Sequence, residues 1–195
     1  AAPKREDFIS RCYANCQRLK SLLDDVSTLT RLDDGSGMID AAPVDVCLVI
    51  RDAVYQKEPD IEQAGLHVVV NLPERIVIRG NEMLLSMMFT NLITNAVKYS
   101  SGTKVEIAYG GERDGRHCFT FSDDGVGVPD DAVDHIFERF FRVDKGRSRR
   151  LGGTGLGLSI VRNTVRFHGG EIKARNIKPH GLEFDITIGN APEER

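Results

Sequence analysis

The sequence predicts an α+β protein: a two-layer α/β sandwich preceded by one long helix. Apolar residues recur at steps of three and four through residues 4–33, which is typical of an amphipathic helix. Beyond residue 41, short segments typical of strands alternate with helical patterns and turns that contain glycine or proline. We therefore expect a helix at residues 1–38, a domain at 39–190 and a disordered tail at 191–195.

The predicted long helix needs a surface on which to bury its apolar stripe. The stripe comprises Phe8, Cys12, Cys16, Leu19, Leu22, Leu23, Val26, Leu29 and Leu32. Another chain or a further segment would cover it, as in a coiled coil. The alternative is that the helix lies on its own domain. The turn residues at 33–37 end the helix in either case.

The predicted elements of the domain follow from periodicity and turn residues. A helix is expected at 44–64, disturbed near Pro59, followed by strands at 66–72 and 75–79 around a turn at Pro73. Asn81 is expected to cap an apolar helix that ends near Tyr99. A hairpin joins 104–109 to 117–122, a helix spans 158–168, and strands at 171–175 and 182–188 close the fold.

The composition excludes some classes of protein. A net charge of −3 and a pI near 6.0 argue against nucleic-acid binding, and no apolar run approaches the length of a membrane span.

The first residues lack the apolar core of a signal peptide and there is no initiator Met, so we expect a piece of a longer protein. The four cysteines form no CxxC pair and are expected to be small buried hydrophobes in a reducing compartment.

Polar residues that could bind a ligand occur first within the apolar helix. Asn91 and Asn95 are four residues apart and share one helix face, where buried amides need polar partners. An amide oxygen can ligate Mg²⁺, and Lys98, about one turn further on, suits a phosphate. The alternative is that both asparagines face solvent.

Three further segments are rich in glycine or basic residues. Asp123 is followed by Gly125 and Gly127, which let a flat ligand approach the backbone. Residues 136–142 read IFERFFR, and 142–150 hold five basic residues and one acid, which suits a phosphate clamp or a solvated surface. Gly152, Gly153, Gly155 and Gly157 precede a helix, and their backbone N–H groups could cradle phosphates. This stretch matches neither a P-loop nor a dinucleotide fingerprint.

The order of these four segments resembles the N, G1, F and G2 boxes of the sensor histidine kinases. The resemblance covers nearly the whole chain. It implies a Bergerat-type ATP-binding domain, with a mixed sheet and helices on one face, preceded by the second helix of a dimerisation and phosphoacceptor hairpin. It also implies that ATP and Mg²⁺ bind, and that the parent protein is a homodimer whose partner is a response regulator receiver domain. The expected location is cytoplasmic, in a parent protein anchored in the bacterial inner membrane.

The resemblance assigns roles to individual residues. It implies that Asn95 ligates Mg²⁺, with Asn91 and Lys98 near the phosphates, and that Asn95 and Lys98 serve catalysis. Tyr99 would lie by the adenosine, and Asp123 would hold the adenine amino group. The remaining implied ligand-binding residues are Gly125, Gly127, Val128, Phe140, Arg142, Gly153, Thr154, Gly155, Leu156, Gly157 and Leu158. Residues 143–153 would form an ATP lid that is weakly ordered without nucleotide.

One departure from the family concerns the phosphoacceptor. The family phosphorylates a His in a motif on the first dimerisation helix, and none of His67, His117, His135, His168 and His180 matches that motif. His168, which precedes two glycines, is expected to cap a helix end. Two alternatives remain at this point. The chain could be another Bergerat-type ATPase, although gyrase-like members carry a general-base Glu where this sequence has Asn91. It could also be a non-catalytic nucleotide-binding or dimerisation module.

Overall fold

The computed structural model describes residues 2–34, 39–144 and 153–192. Its helices are α1 (Ala2–Asp34), α2 (Val46–Gln56), α3 (Glu58–Gln63), α4 (Glu82–Asn95) and α5 (Gly157–Phe167), with a π-helical turn at Ala96–Ser100 and a 3-10 turn at Asp130–Ala132. Its strands are β1 (Ala42–Asp45), β2 (His67–Asn71), β3 (Val77–Gly80), β4 (Lys104–Arg113), β5 (Arg116–Asp123), β6 (Ile172–Asn176) and β7 (Leu182–Ile188).

Five strands form a mixed sheet in the order β2-β4-β5-β7-β6. β2 pairs with β4 in parallel, and the other neighbours are antiparallel. Side chains alternate between the two faces of a strand, so one face of the sheet supplies Phe119, Phe121 and Ile186 to the core. There they join the buried face of α4, represented by Phe89 and Leu92. The expected α/β sandwich with a mixed sheet is confirmed.

The strands expected at 66–72 and 75–79 are present as β2 and β3, but they do not pair with each other. β3 pairs instead with β1 in a separate two-stranded antiparallel sheet, while β2 joins β4. The proline turn brings the strands close in sequence, but both strands pair with partners that lie further away along the chain. The expected helix at 44–64 is wrong at its start for the same reason, because Val44 and Asp45 belong to β1.

The helical segments that follow β1 have clear local signals. The Asp45 carboxylate accepts a hydrogen bond from the Cys47 backbone N–H at 3.1 Å and so caps α2. Pro59 lies in the first turn of α3, where its missing N–H does no harm, so the helix breaks at Lys57. Asn81 caps α4 as expected, because its Oδ1 accepts from the Leu84 N–H at 2.9 Å.

Helix α1 presents two different faces. Its C-terminal half packs on the domain through Leu29, which is 4% exposed and contacts Leu156 and Ile160 of the α5 region. Leu19, Leu23 and Val26 lie on the other face and are exposed. One side of the apolar stripe therefore lies on the domain and the other is uncovered, so the covering of that second side by another chain or segment stays a prediction.

The cysteines and the C-terminal residues correct two expectations. Cys47 is buried, but Cys12 and Cys16 are exposed on α1, because their stretch of the helix extends beyond the domain. The expected disordered tail at 191–195 is wrong at its start, since Ala191 is 4% exposed and its N–H donates to the Arg79 carbonyl at 2.7 Å. Residues 193–195 lie outside the described residues. Within the described ranges, the helices include none with the length and apolarity that crossing a membrane requires.

Candidate functional site

An open cleft of about 340 Å³ lies between α1, α4, the end of β5 and the start of α5. This volume lies in the range of small-molecule sites. The residues expected to bind a ligand that line the cleft are Asn91, Asn95, Lys98, Tyr99, Asp123, Gly127, Val128, Arg142, Gly153, Thr154, Gly155, Gly157 and Leu158. Segments that are far apart in sequence thus meet at one cavity.

Three of the expected residues do not line the cleft. Gly125 is buried, and a Cβ there would lie 2.2 Å from the Ser100 carbonyl oxygen, so this glycine allows two backbone segments to approach each other. The Phe140 side chain is 64% exposed, although its N–H donates to the Gly155 carbonyl at 2.8 Å. Leu156 packs against Leu29 instead. These three residues therefore contact segments that line the cleft, but they do not line it themselves.

Helix α4 supplies the polar side of the cleft. Asn91 and Asn95 are partly buried one turn apart, as their spacing predicts, and both line the cavity. The helix then changes to a π-helical turn that carries Lys98 and Tyr99. Such turns are rare and occur frequently at functional sites. Burial lowers the pKa of the Lys98 ammonium, and the neighbouring Lys57 lowers it further. An anion beside Lys98 would offset that desolvation.

Asp123 supplies a buried carboxylate at the end of β5. It is 7% exposed, and its Oδ1 accepts a hydrogen bond from the Gly125 N–H at 2.9 Å. Burial raises the pKa of Asp123, while the backbone N–H of Gly125 opposes that rise. A buried carboxylate with remaining acceptor capacity suits a ligand that offers an N–H donor.

The glycines before α5 bring backbone close to the other elements. Gly155 adopts a φ of +75°, which L side chains rarely adopt, and its carbonyl accepts from the Phe140 N–H. A Cβ at Gly157 would lie 2.8 Å from Asn91 Oδ1, so glycine here lets the Asn91 amide keep its place beside the start of α5. The Arg142 guanidinium donates to the Gly153 carbonyl oxygen. The first residues of α5, Gly157 and Leu158, line the cleft, and a helix N-terminus at this place suits an anion.

The basic loop lies outside the described residues. Residues 145–152, which include the basic residues expected to clamp phosphates and most of the expected lid, are not described. Arg142 is described and lines the cleft.

Some residues at the cleft were not predicted from the sequence. The apolar wall includes Phe121, Ile136, Phe141 and Phe184, whose strand and core patterns give no sign of a cavity. Ser21 and Asp25 of α1 also line the cleft, and the Thr154 hydroxyl donates to Asp25 Oδ2 at 3.1 Å. Only the docking of α1 on the domain reveals this contribution.

Comparison with protein families identifies a family whose members match the part of the chain that forms the cleft. Residues 80–192, more than half of the chain, match the family described as histidine kinase-, DNA gyrase B-, and HSP90-like ATPase. These residues include α4, Asp123 and the glycine-rich start of α5, which together supply most of the cleft.

The chain is also similar to proteins named as histidine kinases. It is 33% identical over 187 residues to the sensor-like histidine kinase SenX3 of Mycolicibacterium smegmatis, covering 95% of this chain and 48% of SenX3. It is 33% identical over 183 residues to the signal transduction histidine-protein kinase BaeS of Escherichia coli, covering 93% of this chain and 39% of BaeS. The chain therefore spans less than half the length of these relatives.

A solved structure extends the similarity to the fold. The crystal structure of full-length ShkA in complex with AMPPNP superimposes with a TM-score of 0.78 at 27% identity, covering 97% of this chain and 40% of ShkA. The matched length includes α1 as well as the domain. By the match of residues 80–192, the chain belongs to the family of histidine kinase-, DNA gyrase B- and HSP90-like ATPases.

Proposed function

We propose that this chain is the catalytic, ATP-binding part of a sensor histidine kinase. It binds Mg–ATP and transfers the γ-phosphoryl group to a His of a dimerisation domain, from which an Asp of a response regulator receives it. The observation that carries the proposal is one cleft that joins an acceptor for adenine (Asp123), a polar helix face (Asn91 and Asn95) and a glycine-rich helix N-terminus.

The two ends of the cleft suit the two ends of ATP. Asp123 accepts a hydrogen bond from the exocyclic amine of adenine, and the apolar wall around Phe121 and Phe184 packs on the flat base. At the other end, Lys98, Thr154 and the backbone N–H groups at the start of α5 receive the phosphates. Tyr99, which follows Lys98 in the sequence, lines the same cavity.

The residues present also fit a magnesium ion that is held mainly by phosphates. Among the described residues, no group of three or more His, Cys, Asp or Glu side chains could hold a metal alone. Mg²⁺ commonly uses one or two protein oxygens together with waters and substrate phosphates. The Asn95 amide oxygen would be that protein ligand, with Asn91 beside it. When bound, the ion neutralises charge on the transferred phosphoryl group.

Transfer to another protein is favoured over hydrolysis. Phosphoryl transfer depends mainly on positioning and charge stabilisation, which the α4 face and the start of α5 provide here. Activation of water requires a general base, and the neutral amide of Asn91 stands where gyrase-like relatives carry a Glu. A His side chain brought to the cleft is a nucleophile that needs less activation than water.

The first experiment tests whether the chain binds ATP with Mg²⁺ and whether that binding depends on Asn95. Calorimetry is expected to show Mg²⁺-dependent binding of ATP, and Asn95→Ala is expected to remove most of that dependence. Thr90→Ala, on the same helix but outside the residues that line the cleft, is the matched control. Equal Mg²⁺-dependent affinity in the wild type and Asn95→Ala would contradict the proposal.

The second experiment tests transfer. The chain is incubated with labelled Mg–ATP, alone and with a purified helical hairpin that carries the family's His motif. Acid-labile label is expected on the hairpin and on none of the five histidines of this sequence. Binding of ATP without transfer to any hairpin would favour the non-catalytic nucleotide-binding module.

A further inference from the structure

Helix α1 inserts a carboxylate into the end of the cleft where phosphates are expected to bind. Asp25 is half-buried and lines the cavity together with Lys98, Gly153 and Gly157. Its neighbour Asp24 is exposed and does not line the cavity. Of these two adjacent acids on one helix, only Asp25 faces the cleft.

The partner of Asp25 is a donor from the glycine-rich segment. The Thr154 hydroxyl donates to Asp25 Oδ2 at 3.1 Å and accepts from the Leu156 N–H at 3.2 Å. A hydroxyl group has one proton to donate. Therefore Thr154 cannot donate to Asp25 and to a phosphate oxygen at the same time.

Contacts away from the cleft hold Asp25 in this place. Leu29, one turn beyond Asp25 on α1, is buried against Leu156 and Ile160. Near the end of the helix, Asp33 Oδ1 accepts from Arg139 Nη2 at 2.6 Å and from Asn163 Nδ2 at 3.2 Å. The docked α1 thus fixes Asp25 in the cleft through contacts that a nucleotide would not touch.

We propose that Asp25 is a specificity-determining residue of the cleft: its carboxylate occupies the Thr154 hydroxyl that a phosphate group requires, so triphosphate binding and the Asp25–Thr154 contact exclude each other. The inference rests on the proposed function, because it assumes that phosphates bind at this end. Two like charges in a partly buried cavity repel strongly. Burial already raises the pKa of Asp25, although the Thr154 hydrogen bond opposes that rise.

Thermodynamic reciprocity makes this exclusion a coupling between α1 and the nucleotide. If docked α1 weakens triphosphate binding, then triphosphate weakens the docking of α1 by the same factor. Adenosine lacks phosphates and does not compete for Thr154. Discrimination between adenosine and the triphosphate therefore depends on whether α1 is docked.

The test compares the binding of adenosine with that of an ATP analogue, and the removal of Asp25 with the removal of its neighbour Asp24. Calorimetry measures the affinity of adenosine and of a non-hydrolysable ATP analogue with Mg²⁺ for the wild type, Asp25→Ala and the control Asp24→Ala. Asp25→Ala removes both the charge and the acceptor of the Thr154 hydrogen bond, so it is expected to bind the analogue on the order of tenfold more tightly while its affinity for adenosine stays within about twofold. Asp24→Ala is expected to match the wild type for both ligands. Asp33→Ala, which lies outside the cleft, is expected to tighten binding of the analogue by loosening α1.

A second measurement needs no variant. Hydrogen exchange of the α1 amides at residues 22–32 in the wild type is expected to become faster when the analogue binds and to stay unchanged with adenosine. Equal affinities in Asp25→Ala and Asp24→Ala, weaker binding of the analogue in Asp25→Ala, or unchanged exchange would overturn the inference. In those outcomes the wild type still binds nucleotide, and the proposed function stands. If the wild type binds neither ligand, both fail.

Discussion

Gly157 lies so close to Asn91 that a Cβ atom at position 157 would stand 2.8 Å from Asn91 Oδ1. The contact joins the first residue of α5 to the polar face of α4. It explains why the chain uses glycine where a helix begins, at a position that any helix former could otherwise occupy. It also suggests a substitution that moves one amide without unfolding the domain.

Gly157→Ala is expected to displace the Asn91 side chain and weaken binding of Mg–ATP by about tenfold, equal to about 1.4 kcal/mol. The obstructing atom is the end of a side chain, so the fold should persist. Calorimetry gives the affinity, and the melting temperature checks the fold. Gly110→Ala is the matched control, because a Cβ there would meet atoms no nearer than 3.6 Å. Undiminished affinity in Gly157→Ala would contradict this account of the glycine.

Asp123→Asn is expected to weaken adenosine binding, because the amide places a donor beside the exocyclic amine. Loss of a hydrogen bond to a charged group costs about 1.5–3 kcal/mol, equal to about tenfold or more in affinity. Guanosine presents a carbonyl at that position and should bind poorly to the wild type. Asp52→Asn changes an exposed carboxylate on α2 and serves as the control. Similar affinities for adenosine and guanosine would count against the role of Asp123.

Binding of adenosine is also expected to depend on pH. The pKa of Asp123 lies above its ordinary value near 3.8 because the carboxyl is buried. As the pH falls through that raised pKa, Asp123 takes up a proton and loses acceptor capacity. Adenosine affinity of the wild type should therefore fall at a pH above 3.8, and calorimetry over an acid pH series measures this. A pH-independent affinity over that range would show that adenosine does not use the carboxylate.

His168 is expected to make the stability of the domain depend on pH. The imidazole is fully buried, its Nδ1 bonds to the Thr164 carbonyl at 2.8 Å, and its Nε2 accepts from the Asn81 N–H at 3.1 Å. This arrangement requires the neutral ring, and burial lowers the pKa of His168 below its ordinary value near 6.5. The unfolded chain therefore binds the proton more readily, so stability is full above about pH 6.5 and falls as the pH drops below it.

Replacing His168 tests this pH dependence. His168→Leu leaves the Asn81 N–H without its partner and should lower the free energy of unfolding by about 1–3 kcal/mol at neutral pH. It should also reduce the loss of stability between neutral and mildly acid pH. Urea denaturation at neutral and at mildly acid pH measures these changes. His67→Gln, which replaces an exposed histidine, is the control. An unaltered pH dependence in His168→Leu would assign the effect to other groups.

The uncovered face of α1 is expected to drive self-association. Cys12, Cys16, Leu19, Leu23 and Val26 follow one another at steps of four and three residues and are all exposed, which is the pattern of a coiled-coil seam. Leu19→Glu combined with Leu23→Glu should shift a concentration-dependent dimer to monomer in sedimentation experiments. Adenosine affinity should not change. Ser27→Glu, exposed on α1 but outside this seam, is the control. A wild type that stays monomeric at high concentration would contradict the prediction.

Local sequence patterns were sufficient to predict those elements whose interactions span only a few residues. The Asn81 cap, the apolar helix that follows it and the strand at 182–188 were predicted because caps and periodicity act within one element. The spacing of Asn91 and Asn95 likewise placed both amides on one helix face. The strand expected at 75–79 was found, but its partner was not predicted, since β3 pairs with β1 about 35 residues earlier in the chain.

The sequence by itself determined the α/β class, most of the residues at the cleft and their expected chemistry, because those depend on residue type, spacing and order. Only the tertiary structure decided which strands pair, that Phe140 turns outward, and that Asp25 of α1 meets Thr154 across 129 positions of sequence. Such contacts depend on how elements pack, and neither periodicity nor a motif encodes the position of one helix against another. The side of α1 that carries Asp25 differs little in pattern from the side that carries Leu19, and only docking distinguishes them.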